Sequence, residues 1–290
     1  MPTAGRLRKT MISLTKNRNG EWQVSQWEIS PTIYLDHWAL RKFSEDQTLA
    51  TRFTAALNLR NGTLALSWLN LAEFTKVTIA EQAHKAENLV EAILPRLFFL
   101  EIYPFKVIQR ENEALAGGSP TLPHADIEFL KAFSQFRPTS LNLFTAHDLF
   151  GVIQASTLGK NFSDLGNALI KSLEALRNRT DTDPRFQSTL RRSPSGFQIQ
   201  RGTRFILHEL VRTFLINKQI KITTNQAIDL LHATVPVAYC DLVLLDKHWE
   251  TQVDYVRSRL NARRIPVPIA RVFSSKANGV DRFLCELESN

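Results

Sequence analysis

The stretch from 225 to 249, NQAIDLLHATVPVAYCDLVLLDKHW, constrains the fold more than any other part of the chain. Thr224 and Asn225 can cap a helix that carries Ile228, Leu231 and His232 on one face. Pro236 ends or kinks that helix, and the apolar run Leu242-Val243-Leu244-Leu245 follows. An apolar run of about four to eight residues between helical segments reads as a buried strand of a parallel sheet. This one terminates in Asp246, after which Lys247-His248-Trp249 leads into another helix. In open parallel sheets, ligands sit outside the carboxyl ends of the strands, and Asp246 stands at such an end. Asp229, near the start of the preceding helix, faces the same edge.

A second stretch repeats this grammar. Ile33-Tyr34-Leu35 is an apolar run, Asp36 follows it, and a helix opens over His37 to Arg41. Asp is favoured at a helix N-cap and complements the helix dipole, so one strand–Asp–helix junction has a purely local explanation. Two junctions bring two carboxylates to one sheet edge. A third acid, Glu73, lies about a turn and a half into a helix starting at Trp68, behind a strand over 63–67 and the Asn61-Gly62 turn. It can reach back toward the strand ends, or pair with Lys76 three residues on.

In order and setting, Asp36, Glu73, Asp229 and Asp246 resemble the acidic set of the PIN domain nuclease family. The segments that carry the resemblance are IYLDHWAL, LALSWLNLAEF and IDLLHATVPVAYCDLVLLD, within roughly the first hundred and last seventy residues. The wording is closer to bacterial PIN-like proteins than to the short toxin members. One departure is visible: the family's usual Thr or Ser in the last strand motif is replaced by Leu244-Leu245, which removes a polar helper. The resemblance implies a three-layer α/β/α fold with a mainly parallel sheet, and an endoribonuclease activity.

The chemistry of such a cluster follows without the family. Gathered carboxylates repel one another, and their ionised state is costly unless a cation neutralises it. Oxygen ligands without Cys or His partners select Mg²⁺ or Mn²⁺ over Zn²⁺. Such ions lower the pKa of a bound water and stabilise charge building on a phosphoryl oxygen, which amounts to phosphodiester hydrolysis. Asp36 and Asp246 are the expected direct ligands. Glu73 and Asp229 are expected to act through water.

Neighbouring residues have weaker readings. Asp241 begins the predicted strand over 242–245, which points to a structural cap at the far edge, although its YCD setting keeps it as a further candidate ligand. His232, about one helical turn after Asp229, reads as a core-edge histidine or as a group orienting that carboxylate. His37 and Lys247 adjoin acids and suit either charge compensation or phosphate contact.

Charge enters the argument here. Lys and Arg total 36 against 28 acids, a formal net charge of +8. A basic surface around an acidic pocket suits a polyanion held by its backbone. The segment from Arg177 to Arg204 is the most basic and most broken, with Pro184, Pro194, Gly196 and Gly202 interleaved. Its Arg177, Arg179, Arg185, Arg191, Arg192, Arg201 and Arg204 suit phosphate oxygens, so a loop lip for nucleic acid is expected, with Phe186 and Phe197 available for stacking. A solvated surface loop is the competing reading. Arg257, Arg259, Arg263 and Arg264 follow on the helix after Asp246 and extend the basic surface.

Along the chain, residues 1–30 read as a basic tail and a β-hairpin turned at Asn19-Gly20. Residues 31–104 and 221–290 form the expected nuclease domain, and 105–220 a helical insertion with the Arg-rich loop. Two cysteines without a C-x-x-C pair offer neither a cysteine zinc site nor a disulfide framework, and no apolar run approaches the roughly eighteen residues of a membrane span. The basic start has no apolar stretch behind it, so a secretory signal is not expected and the cytoplasm is the expected location. The expected partner is nucleic acid, RNA rather than DNA on the strength of the resemblance. A DNA-directed nuclease, an inactive scaffold binding RNA or protein, a regulatory protein docked on the hairpin, and a homo-oligomer stay open.

Overall fold

The apolar runs become the middle of a sheet. The computed structural model describes residues 11–75, 80–118, 122–136, 144–155, 162–191, 202–217 and 222–289. A hairpin of β1 (Ile12–Lys16) and β2 (Trp22–Gln26) precedes the first core strand, β3 (Thr32–Leu35). Helices α1 (His37–Glu45) and α2 (Gln47–Leu59) lead to β4 (Thr63–Leu66), and α3 (Trp68–Thr75) and α4 (Ala80–Ile93) lead to β5 (Leu97–Phe99). A helical stretch follows: α5 (Pro104–Leu115), α6 (Ile127–Gln135), α7 (Ala146–Ala155), α8 (Phe162–Thr182), α9 (Pro184–Arg191) and α10 (Gly202–Ile216). The chain closes with α11 (Thr224–Tyr239), β6 (Leu242–Leu244), α12 (Lys247–Arg263), β7 (Arg271–Phe273) and α13 (Gly279–Ser289).

Strands β3 to β7 form one parallel sheet in the order β5-β4-β3-β6-β7. The protein is therefore an α/β protein built on a five-strand parallel sheet. Its chain runs outward from β3 to β5, then crosses to the other flank of β3 for β6 and β7. Side chains alternate along each strand, so the sheet separates two cores. Ile33, Leu35, Leu66, Phe99 and Leu244 face one, and Tyr34, Ala65, Phe98 and Val243 face the other. The first core is closed by α1 to α4, α6, α7 and α13, the second by α10, α11 and α12 with Val107 of α5 and Leu173 of α8. The helices between 105 and 220 are thus shared between both faces.

The hairpin guards an edge. The Gln26 side chain donates to the Phe99 carbonyl and accepts from the Phe99 N–H, both at 2.8 Å, and Leu100 bridges to Ala125. These contacts occupy backbone groups that an edge strand would otherwise offer to another chain.

Local details differ from expectation in three places. Thr223, not Thr224 or Asn225, caps α11, because Gln226 three residues on completes a reciprocal capping box with it. Pro236 lies inside α11, which runs on to Tyr239; the Cys240 N–H bonds the Pro236 carbonyl and closes the last turn. The Arg-rich segment is helical up to 191, since α8 and α9 meet at Asp183, whose Oδ1 accepts from the N–H groups of Arg185 and Phe186. Among the described residues, no helix is long and apolar enough to cross a membrane.

Candidate metal centre

Asp36 and Asp246 occupy equivalent places on adjacent strands. Each follows its strand in an extended conformation, φ −63° and ψ 162° for Asp36, φ −69° and ψ 169° for Asp246. Each caps a helix through Oδ1 alone: Asp36 accepts from His37 N–H at 2.7 Å, and Asp246 from His248 and Trp249 N–H at 2.8 and 3.1 Å. The Asp36 N–H donates to the Leu244 carbonyl at 2.9 Å, which extends the β3–β6 ladder by one residue, to Asp36. Capping and site-building are not alternatives, because the cap bonds use one oxygen of each carboxylate. The two acids border the crevice where the strand order reverses, the usual ligand position in open parallel sheets.

Glu73 reaches it from α3 and His232 from α11. Asp36, Glu73 and His232 each offer one donor atom, and these atoms lie within 4.8 Å of one another. Glu73 Oε2 is 3.7 Å from His232 Nε2, too far for a hydrogen bond. His232 is 2 % exposed; its Nδ1 is hydrogen-bonded to the Tyr34 hydroxyl, and among the described residues its Nε2 has no hydrogen-bond partner. Tyr34 precedes Asp36 by two residues on extended backbone, so both side chains project to the same face. Asn70 braces this corner, accepting from Ser67 N–H and Oγ–H at 2.9 and 2.8 Å and donating to the Leu35 carbonyl at 3.2 Å.

The electrostatics show that the acids share a space. Burial pushes the Asp36 carboxyl up to about 7, with a further push from Asp246 and an opposing hydrogen bond from His37. Burial likewise raises Asp229 to about 7, reinforced by the charges of Asp36 and Asp246 and opposed by the Trp249 indole. His232 moves the other way: burial, with a contribution from His37, lowers it to about 3 and holds the imidazole neutral. Burial and the neighbouring Asp36 keep the Tyr34 phenol protonated by raising it well above its usual range.

The residues fit a divalent ion. Carboxylates driven toward protonation by burial and mutual repulsion gain most from a cation. A neutral imidazole with an open Nε2 supplies a further donor. Asp229 and Asp246 lie outside the 4.8 Å set and form its acidic flank.

Four predicted acids thus converge in two tiers. Asp241 does not join them. It stands at the opposite end of β6, where its Oδ2 accepts from Ser30 Oγ–H at 2.8 Å and Thr32 N–H at 2.7 Å and ties the loop before β3 to β6. A surface groove of about 650 Å³ lies at that far edge, bordered by Asp241, Ser30 and Arg271, away from the carboxylates.

The basic residues divide as well. Lys247 is exposed at the first position of α12, beside Asp246. Arg177 donates to the Phe214 carbonyl at 2.6 Å, at the end of α10 whose Phe214 ring lies 5.8 Å from Trp249; it is a structural clamp near the site. Arg179 stacks over Phe186 at 4.6 Å and pairs with Asp183 at 3.6 Å. Arg185 and Arg191 are exposed on α9. Arg204 belongs to the other end of α10, next to Thr203, which binds Glu111 together with Tyr239 from the end of α11. It is about 15 Å along the helix from Phe214, the residue that Arg177 holds. Arg192 and Arg201 lie outside the described residues.

Tyr34, Ser67 and Asn70 are the site residues that sequence reasoning missed, and His232, read there as a core-edge histidine or a group orienting Asp229, stands beside Asp36 and Glu73 instead. The i, i+2 spacing of Tyr34 and Asp36 and the i, i+3 spacing of Asn70 and Glu73 were the available signals, each too common to stand alone. No protein-family model, curated protein or solved structure matches the chain.

Proposed function

We propose that the protein is a divalent-metal-dependent nuclease with a PIN-like fold, hydrolysing phosphodiester bonds in RNA. The observation that carries this reading is the approach of the Asp36, Glu73 and His232 donor atoms to within 4.8 Å of one another at the point where the strand order reverses. Further support comes from the order of the acids. One follows the first strand of the parallel sheet, one lies in an early helix, one in the helix before β6, and one after β6. A net charge of +8 around an acidic crevice suits a polyanionic substrate.

A bound Mg²⁺ or Mn²⁺ would lower the pKa of a water and clamp a phosphoryl oxygen. Asp36 and Glu73 would hold that ion, and Asp229 and Asp246 would orient water from the flank. Lys247, exposed beside Asp246, draws the phosphate backbone toward the crevice. The N-cap bonds of Asp36 and Asp246 fix both carboxylates before substrate arrives, which limits the reorganisation needed during reaction.

The test is cleavage of end-labelled single-stranded RNA and DNA with Mn²⁺, Mg²⁺ or EDTA, comparing wild type with Asp36→Asn. Metal-dependent cutting of RNA that disappears in the variant is the expected result; cutting of DNA alone reassigns the substrate. The same caps explain Asp36 and Asp246 without any catalysis, so a second reading is a catalytically idle scaffold. Binding of RNA with no cutting under any metal condition favours that reading.

A further inference from the structure

We propose that His232 is a direct ligand of the ion, through Nε2, and that it makes the site choose a first-row transition ion over Mg²⁺. The proposal rests on the metal-centre reading above but not on the identity of the substrate. It starts from a buried nitrogen. Among the described residues His232 Nε2 has no hydrogen-bond partner, although the side chain is 2 % exposed. A polar atom buried without a partner is destabilising, so its persistence calls for a reason.

The geometry supplies one. Two ligand atoms each about 2.1 Å from a shared ion stand about 3.0 Å apart at a right angle and about 4.2 Å apart when opposed. The 3.7 Å between His232 Nε2 and Glu73 Oε2 falls inside that window, whereas it is too long for a hydrogen bond. A common ion would lie within reach of both atoms, and Asp36 completes the set.

The second nitrogen has the support that a ligating histidine needs. Metal-bound imidazoles donate their other N–H to a fixed acceptor, which sets the ring tautomer and orientation. Here Nδ1 meets the Tyr34 hydroxyl. Tyr34 in turn lies against Ser67 and Asn70, so its oxygen is held in place from the end of β4. Tyr34 is therefore a positioning residue for His232.

Selectivity follows from donor type. Mg²⁺ prefers oxygen donors in near-ideal octahedral geometry and gives up its waters reluctantly, while imidazole nitrogen binds transition ions more tightly along the first row. Two carboxylates and one imidazole form a mixed set that discriminates against Mg²⁺, whereas carboxylates alone would not.

The experiment uses the full-length, chelator-stripped protein and Mn²⁺ as the probe. Bound Mn²⁺ is counted by loss of the free-ion electron paramagnetic resonance signal, and pulsed measurements detect a directly bonded ¹⁴N. Wild type is expected to show the nitrogen coupling. His232→Gln is expected to lose it and to bind Mn²⁺ about 10–100-fold more weakly, with Mg²⁺ affinity changed by less than about threefold. Tyr34→Phe should keep the coupling and weaken Mn²⁺ binding about tenfold. Mn²⁺ bound to wild type without nitrogen coupling overturns the assignment of His232 and leaves the carboxylate centre standing. Coupling that survives His232→Gln also overturns it. Failure of wild type to bind Mn²⁺ overturns both the assignment and the metal centre. The wild-type measurement decides the question even where a variant fails to fold.

Discussion

The Asp36 N–H is bonded to the Leu244 carbonyl at 2.9 Å, which sets Asp36 one residue past the last β3–β6 rung and Asp246 two residues past it. Burial raises the Asp36 carboxyl to about 7, with a further push from the charge of Asp246, and much of the behaviour expected of the protein follows from that neighbourhood.

Metal-free stability should fall as pH rises. Asp36 and Asp229 both have folded-state values raised to about 7, against about 3.9 for an unfolded Asp. A group raised on folding contributes stability that is complete below its unfolded value and is lost as pH climbs through its folded value. The window is therefore about pH 4 to pH 7. At about 1.4 kcal/mol per unit, the combined loss is a few kcal/mol, because the two sites interact and are partly wet. Thermal unfolding in EDTA should show Tm declining across that window, and added Mn²⁺ should restore more of it at pH 8 than at pH 5. A flat Tm profile in EDTA would remove the electrostatic case for a cation.

Asp36→Asn should separate stability from activity. The amide oxygen can still accept from His37, so the cap of α1 survives, while the negative charge is gone. Metal-free protein at pH 8 should be stabilised by about 1–3 kcal/mol, and metal-dependent cleavage should vanish. Denaturant unfolding measured beside the cleavage assay tests both halves. Loss of activity together with loss of stability would mean that Asp36 acts only as a cap.

The sequence made the sheet and its acidic edge legible because those features are local. A short apolar run followed by Asp is visible by inspection, as at 33–36 and 242–246, and strand-end acids converge once the strands are neighbours. His232 was legible only as a core-edge histidine or a group orienting Asp229, not as a neighbour of Glu73. It occupies a helix position that most often holds a satisfied core histidine, and only the packing of α11 against β3 brings it to Tyr34. The Arg-rich segment misled for a related reason. Pro184 looked like a break, but Pro is well tolerated in the first turn of a helix, and there it starts α9. Asp241 has the same residue type and strand as Asp246, and three residues of β6 put it at the opposite edge.

That separation can be tested directly. Asp241→Ala removes the acceptor shared by Ser30 Oγ–H and Thr32 N–H, leaving the strand start without its tie to β6. A destabilisation of about 1–3 kcal/mol is expected, with Mn²⁺ affinity and metal-dependent cleavage unchanged below the unfolding transition. A metal affinity that fell with Asp241→Ala would place it functionally in the centre, against its position in the fold.

The last element of the chain offers a control far from the crevice. Phe283 of α13 is fully buried against Phe43 and Phe53, with ring centroids 6.1 and 6.2 Å away, and joins α13 to α1 and α2. Arg52 adds ion pairs to Glu288 at 2.6 Å and Asp281 at 3.3 Å, but both are exposed and contribute little. The aromatic contact should therefore dominate. Phe283→Ala should cost about 3–5 kcal/mol, and Arg52→Ala less than about 1 kcal/mol. Both would be read from urea unfolding, with Mn²⁺ binding to the folded fraction unchanged. An equal cost for the two variants would show that α13 is held by charge, and would shift the explanation of its docking from the Phe cluster to the surface.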